Sequence, residues 1–246
     1  MKIINILLLG GILIALWQGI VWLLDLPHYL LPQPMAVFHQ LITQKALLWD
    51  HALITMLEIG LGLIFGFLFG LCSAFLLSLS SRISALLLPI LVISQAIPVF
   101  AIAPLLVLWF GYGLASKIVM TILIIYFPVT AACYDGLRNT PKSWLQLAQT
   151  MGVSNLRLLF KVRLPAALPA LASGLRIAVS IAPIGAVVGE WVGSSKGLGY
   201  LMLQANARMQ TDMLFAALFI LLCIALVIYF LTDYGLRKAL PWIDKT

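Results

Sequence analysis

His28, His39 and His51 are the only histidines, and their spacings of eleven and twelve residues are unlike the three or four that gather imidazoles on one helix face. Cys72, Cys133 and Cys223 each lie inside an apolar run, where a free thiol behaves as a small hydrophobe, and no CxxC pair occurs. Metal and redox chemistry therefore have no support. An embedded enzyme would need paired carboxylates, or a nucleophile with its base, converging near an interface. The nearest approach to such a pair is His51 with Glu58. Seven residues of helix set them about 10 Å apart along the axis, too far for direct contact. What remains is Glu58 and Glu190 in apolar surroundings, and the cations Arg157, Lys161 and Arg163 in the longest polar interruption, Gln146 to Pro169.

The elements that position these groups follow from composition. Of 246 residues 63% are hydrophobic and 9% charged, against about 25% charged in a soluble domain. The chain reads as an all-α integral membrane protein. The net charge of +7 is spread through short gaps between apolar runs, which orients membrane helices and does not make the basic face that nucleic acid requires.

Six spans are expected. Residues 3–24 carry only Asn5 and Gln18 as polar side chains and exceed the h-region of a signal peptide, so an uncleaved first helix is expected. Residues 25–51, with Asp25, three prolines and the histidines, read as a connection outside the hydrocarbon with a short interfacial helix around Ala36 to Trp49. The second span, about 52–79, sets Gly62, Gly66, Gly70 and Ala74 at four-residue intervals, a face on which another helix can approach closely. Glu58 in this span needs either a structural partner or a watery transport path, and both stay open.

The third span, about Ala85 to Phe110, holds Pro89, Pro98 and Pro104, each expected to kink it. Ser94 and Gln95 precede Pro98 and are candidate pathway residues, with ordinary interhelical hydrogen bonding the alternative. The fourth span, about Lys117 to Tyr134, contains Pro128; the fifth runs from about Leu171 to Trp191 and the sixth from about Met213 to Asp233. Glu190 reads either as a gate residue near the substrate's entry or as an interfacial carboxylate beside Trp191, and span ends that routinely carry charge favour the second. The chain divides into 1–51 (first helix and outer connection), 52–240 (core, with the polar loop at 139–170) and a tail at 241–246.

With the N-terminus inside, the inner segments hold eleven basic residues (Lys2, Arg82, Arg138, Lys142, Arg157, Lys161, Arg163, Arg176, Arg237, Lys238, Lys245) and the outer ones four (Lys45, Lys117, Lys196, Arg208). The imbalance places both termini and the polar loop in the cytoplasm. In that loop Thr140 is expected to cap a helix begun by Pro141, and Gly152 to close it in a left-handed conformation. Trp144, Leu147, Ala148 and Met151 then share one face. Ser154 is expected to cap a second helix, with Leu156, Leu159 and Phe160 opposite Arg157 and Lys161, that Pro165 ends. Such a pair either lies on the membrane surface or docks into a partner, and composition does not choose between them.

The loop resembles the EAA loop of permease subunits of ATP-binding-cassette importers. That pattern is EAA, three residues, Gly, nine residues, Ile, one residue, Leu-Pro. Here Gln146, Leu147 and Ala148 stand at the EAA positions, Gly152 at the glycine, Val162 at the isoleucine, and Leu164 with Pro165 at the end. Gln146 and Leu147 depart from the letters and keep the spacing. The resemblance spans about residues 30–240, including LPQPMAV, AIAPLLVLWFGYG and GEWVGSSKGLGYL, and points to the branch of sulfonate, taurine, nitrate and thiamine-pyrimidine-precursor permeases. A basic residue often stands in that branch where this chain has Glu58, so the substrate is not carried over.

The resemblance implies the type I importer permease fold in a bacterial inner membrane. It also implies a second permease copy, most simply a homodimer, and a soluble extracytoplasmic binding protein. Two ATPases would hold ATP and Mg2+ and grip the loop, whose rocking gates the helices. No Gly-Lys pair occurs, so the phosphate-cradling loop GxxxxGK[ST] is absent and this chain carries no cofactor of its own. An ion-coupled secondary transporter or channel, with Glu58, Glu190 and Asp135 handling ions, is the alternative reading.

Overall fold

The computed structural model describes residues 2–242, with side chains from residue 8 onward, and is helical throughout. Of the tail expected at 241–246, residues 243–246 lie outside the described residues. Helix α1 is Lys2–Leu23, α2 Pro34–Thr43, α3 Lys45–Leu79, α4 Ser81–Ala96, α5 Val99–Phe110 and α6 Leu114–Arg138. The loop forms α7 (Lys142–Thr150), α8 (Asn155–Leu158) and a π turn at Leu159–Arg163, which runs into α9 (Leu164–Gly193). Helices α10 (Leu198–Ala207) and α11 (Thr211–Ala239) complete the chain.

Among the described residues four helices are long and apolar enough to cross a membrane: α3, α6, the continuous α8–α9 segment and α11. The pair α4–α5 adds a fifth crossing if taken as one broken span, and Leu8–Leu23 of α1 is a shorter apolar helix. The six expected stretches all fall on helices, the third of them on the broken pair α4–α5. Helices α4 and α5 meet at 98°. Of the three prolines only Pro98 breaks the chain, because Ile97 before it is forced extended (φ −82°, ψ 116°) and Pro98 becomes the N-cap of α5. Pro89 and Pro104 sit within intact helices. The interfacial helix expected at Ala36 to Trp49 is two elements, since α2 stops at Gln44 and Trp49 already belongs to α3.

Helix α6 lies between α3 and α9, and the three form the centre of the bundle. A Cβ at Gly62 would collide with Thr121, at Gly66 with Ile125 and at Gly70 with Val129. The four-residue small stripe of α3 therefore abuts a four-residue stripe of α6 at backbone distance, the close approach that gains dispersion where lipid offers no hydrophobic drive. Ala74, Ile125, Val129 and Cys133 are wholly buried along the same seam. Helix α11 covers α9, α10 and α2, and α1 adds Trp17 against Phe215, ring centroids 5.6 Å apart.

Candidate functional site

At one end of the bundle, three helices converge on a buried polar cluster. Glu58 of α3 and Glu190 of α9 are both 0% exposed. Lys117, in the first turn of α6, donates from Nζ to Glu58 Oε1 at 2.9 Å. Its stem fits because Gly189 on α9 leaves room: a Cβ there would stand 3.1 Å from the Lys117 Cα. Thr55 donates to Glu190 Oε1 at 2.6 Å, while Gly199 and Tyr200 donate their N–H groups to Glu190 Oε2. Leu198 N–H donates to Thr55 Oγ1 at 2.8 Å, and Gly197 N–H to His51 Nδ1 at 2.9 Å. The segment GSSKGLGY is thus folded down onto Glu190, and at Gly197 (φ +113°) any Cβ would strike the carboxylate.

The two carboxyl groups adjoin, and among the described residues Glu58 Oε2 accepts no hydrogen bond. One cation thus faces two buried acids. Glu190 is not the interfacial carboxylate expected beside Trp191: Trp191 is half-exposed, and the helix turns its neighbour inward to satisfy the loop amides. Lys117 escaped the sequence reading because a lysine at a span end looks like a topology charge. The signal that could have found it is Glu58 itself, which as a buried charge demanded a cation from another span.

The opposite end carries α7. Gly152 takes φ +71°, Gly152 N–H bonds the Gln149 carbonyl at 3.0 Å and Val153 N–H the Ala148 carbonyl at 3.1 Å, which together make a Schellman closure. Ala148 is buried, whereas Trp144, Leu147 and Met151 are exposed. Gln146 lies on the same short helix. Thr140 does not cap α7: Pro141 is the N-cap, and Thr140 Oγ1 donates to the Leu137 carbonyl at 3.1 Å. Arg163 donates to that carbonyl from Nε and Nη2, at 3.2 and 3.1 Å. Both bonds staple the loop to the end of α6.

Ser154 occupies the N-cap of α8 without a side-chain cap bond. Pro165 does not end the helix. In the π turn the Leu164 N–H reaches back five residues to the Leu159 carbonyl, and Val162, Leu164 and Pro165 pass helically into α9. This register carries the chain through the proline. The helix that holds the fifth span therefore begins before Leu171, with α9 running unbroken from Leu164.

Ser94 and Gln95 meet neither end; they lie exposed near the end of α4, Ser94 Oγ donating to the Leu91 carbonyl at 2.7 Å. Among the described residues α4 buries none of its side chains.

The site and the loop thus sit at the two ends of a helical bundle with four helices long and apolar enough to cross a membrane among the described residues. The pattern that defines the binding-protein-dependent transport system inner membrane components matches residues 62–241. The chain belongs to that family, the permease subunits of ATP-binding-cassette importers. It is 69% identical to a Haemophilus influenzae protein named "probable ABC transporter permease protein", over 96% of this chain and 97% of that one. It is 36% identical to the formylaminopyrimidine transport permease protein of Halalkalibacterium halodurans, over 95% and 93%. An inward-facing structure of the MetNI methionine ABC transporter shares the fold at TM-score 0.71 and 22% identity, covering 80% of this chain and 97% of that one.

Proposed function

We propose that this permease subunit works as one of two identical copies, with α7 as the handle for the ATPase and the α4–α5 face lining the path. The observation that carries the coupling role is the exposed apolar face Trp144, Leu147 and Met151, on a helix fixed by the Gly152 closure and the staple to Leu137. An apolar face held rigidly can transmit force, whereas a loose loop would absorb it. Gln146, Ala148, Val162, Leu164 and Pro165 shape that handle and its continuation into α9. ATP and Mg2+ belong to the ATPase, since the sequence offers no phosphate-cradling motif.

Leu86, Ile90, Ile93 and Phe100 are exposed on α4–α5, as are Ser94 and Gln95. A second copy covering the apolar part would leave the polar pair on a path between copies. Glu58 and Glu190, wholly buried, act by positioning: they lock the ends of α3, α6 and α9 and the GSSKGLGY segment into one unit. Lipid covers the remaining apolar faces.

The orientation keeps both termini and α7 in the cytoplasm. Setting aside Lys117, Arg176 and Arg237, which are paired with Glu58 and Asp233, leaves nine basic residues inside against three outside, an excess of the same sign. The proposed substrate is a thiamine pyrimidine precursor, with sulfonate, taurine or nitrate the other candidates. The 36% relative supports the first.

Reconstitution with the cognate ATPase and binding protein tests the reading. Uptake of a labelled aminopyrimidine should depend on ATP and stop in Gly152→Val while ATP hydrolysis continues. Uptake with no ATPase present would overturn it in favour of a secondary transporter.

A further inference from the structure

The end of the bundle that carries α7 also holds a cavity of about 430 Å3 between the α3–α4 turn and the π turn. Ser80, Ser81 and Ser84 line one wall; Tyr134, Arg138 and Arg163 line the other. None of the described lining residues is acidic. Arg163 uses two of its N–H groups on the Leu137 carbonyl, which leaves three of the five a guanidinium carries. Arg138 is exposed at the end of α6 and forms no ion pair among the described residues. Ser80 Oγ accepts from the Arg82 N–H, so its own hydrogen is left to donate. Ser84 Oγ donates to the Ser81 carbonyl at 3.0 Å, which leaves the Ser80, Ser81 and Tyr134 hydroxyls as donors. Two uncompensated cations and these hydroxyls facing one space suit a multivalent oxyanion, because guanidinium forks match phosphate oxygens and the hydroxyls fill the remaining acceptor sites.

We propose that this cavity binds a phosphate group, carried either by the headgroup of an anionic phospholipid or as free phosphate. A phosphate held there bridges the α3–α4 turn to the segment that links α7 to α9. It thereby joins the broken α4–α5 pair to the coupling handle. Only the leaflet assignment rests on the permease reading, which puts this end in the cytoplasm, where an anionic headgroup would meet it.

The test uses the purified complex in phosphatidylcholine nanodiscs, with and without phosphatidylglycerol, and separately titrated with inorganic phosphate. Native mass spectrometry counts retained phosphatidylglycerol, and thermal denaturation reports phosphate binding. Arg138→Gln and Tyr134→Phe should each weaken whichever phosphate binds, the arginine change by roughly ten-fold. Arg82→Gln, a cation on the same turn that does not line the cavity, should leave binding unchanged. Selective loss of phosphatidylglycerol identifies the lipid as source, and selective loss of phosphate protection identifies the free ion. Equal loss from Arg82→Gln and Arg138→Gln means general surface charge and overturns the site, as does saturable binding of neither probe. A complex that couples ATP to uptake yet binds neither phosphate sinks this site alone. Phosphate binding by a chain that no ATPase joins sinks the coupling reading alone.

Discussion

Replacing Lys117 with Met removes the cation that stands 2.9 Å from Glu58 Oε1, with side chains 8% and 0% exposed. Methionine keeps most of the stem volume beside Gly189, so the loss is of charge and not of packing. Glu58 and Glu190 then sit together in the bundle with no counter-ion, and breaking a buried pair from one side costs about 3–5 kcal/mol. For a chain of this length each kcal/mol moves the unfolding midpoint by roughly 2–4 °C, so Lys117→Met should lower it by roughly 6–20 °C. Scanning fluorimetry of the detergent-solubilised protein reads this directly. The double variant Lys117→Met with Glu58→Gln removes both members and should recover more than half of the loss, since the two residues are coupled. A drop below about 2 °C in the single variant, or a double variant that falls by the sum of the singles, would refute the buried ion pair.

Glu190→Gln keeps the shape but turns a donor toward groups that already donate. Amide exchange at Gly199 and Tyr200 should speed by roughly 5- to 150-fold, the range set by about 1–3 kcal/mol for an orphaned buried partner; unchanged exchange would remove Glu190 as the loop's anchor. Gly66→Leu should abolish recovery of folded protein, because its side chain would drive into Ile125 across the α3–α6 seam, whereas Gly10→Leu, with open space around it, should be recovered normally. In a variant with Cys72, Cys133 and Cys223 replaced, Ser94→Cys should form a disulfide-linked dimer in membranes under mild oxidant, and Trp22→Cys on the exposed face of α1 should not. A dimer from Trp22→Cys alone would move the interface.

The helical class, the membrane setting and the polar loop were all legible in the sequence, because apolar runs and fixed motif spacing are local signals. So was the small stripe of α3, whose partner stripe on α6 the sequence did not name. What escaped depends on three-dimensional partners. Pro89, Pro98 and Pro104 look alike in the chain, yet only Pro98 breaks it, because Ile97 there goes extended. Pro165 looks like a stop, and the π turn that carries the helix past it has no composition signal. Lys117 and Glu190 both read as span-end charges until the crossing of α3, α6 and α9 brings them inside. Thr140 reads as a cap, whereas its hydroxyl donates to the Leu137 carbonyl, where two of the Arg163 N–H groups also converge.

The most direct measurement of the coupling claim is affinity purification of the tagged chain from its native host, with mass spectrometry of what stays bound. The wild type should retain an ATP-binding-cassette ATPase. A Leu147→Asp and Met151→Asp variant, changed only at exposed positions of the handle, should remain folded and lose that ATPase. Retention of the ATPase by the variant, or its absence from the wild type, would contradict the account.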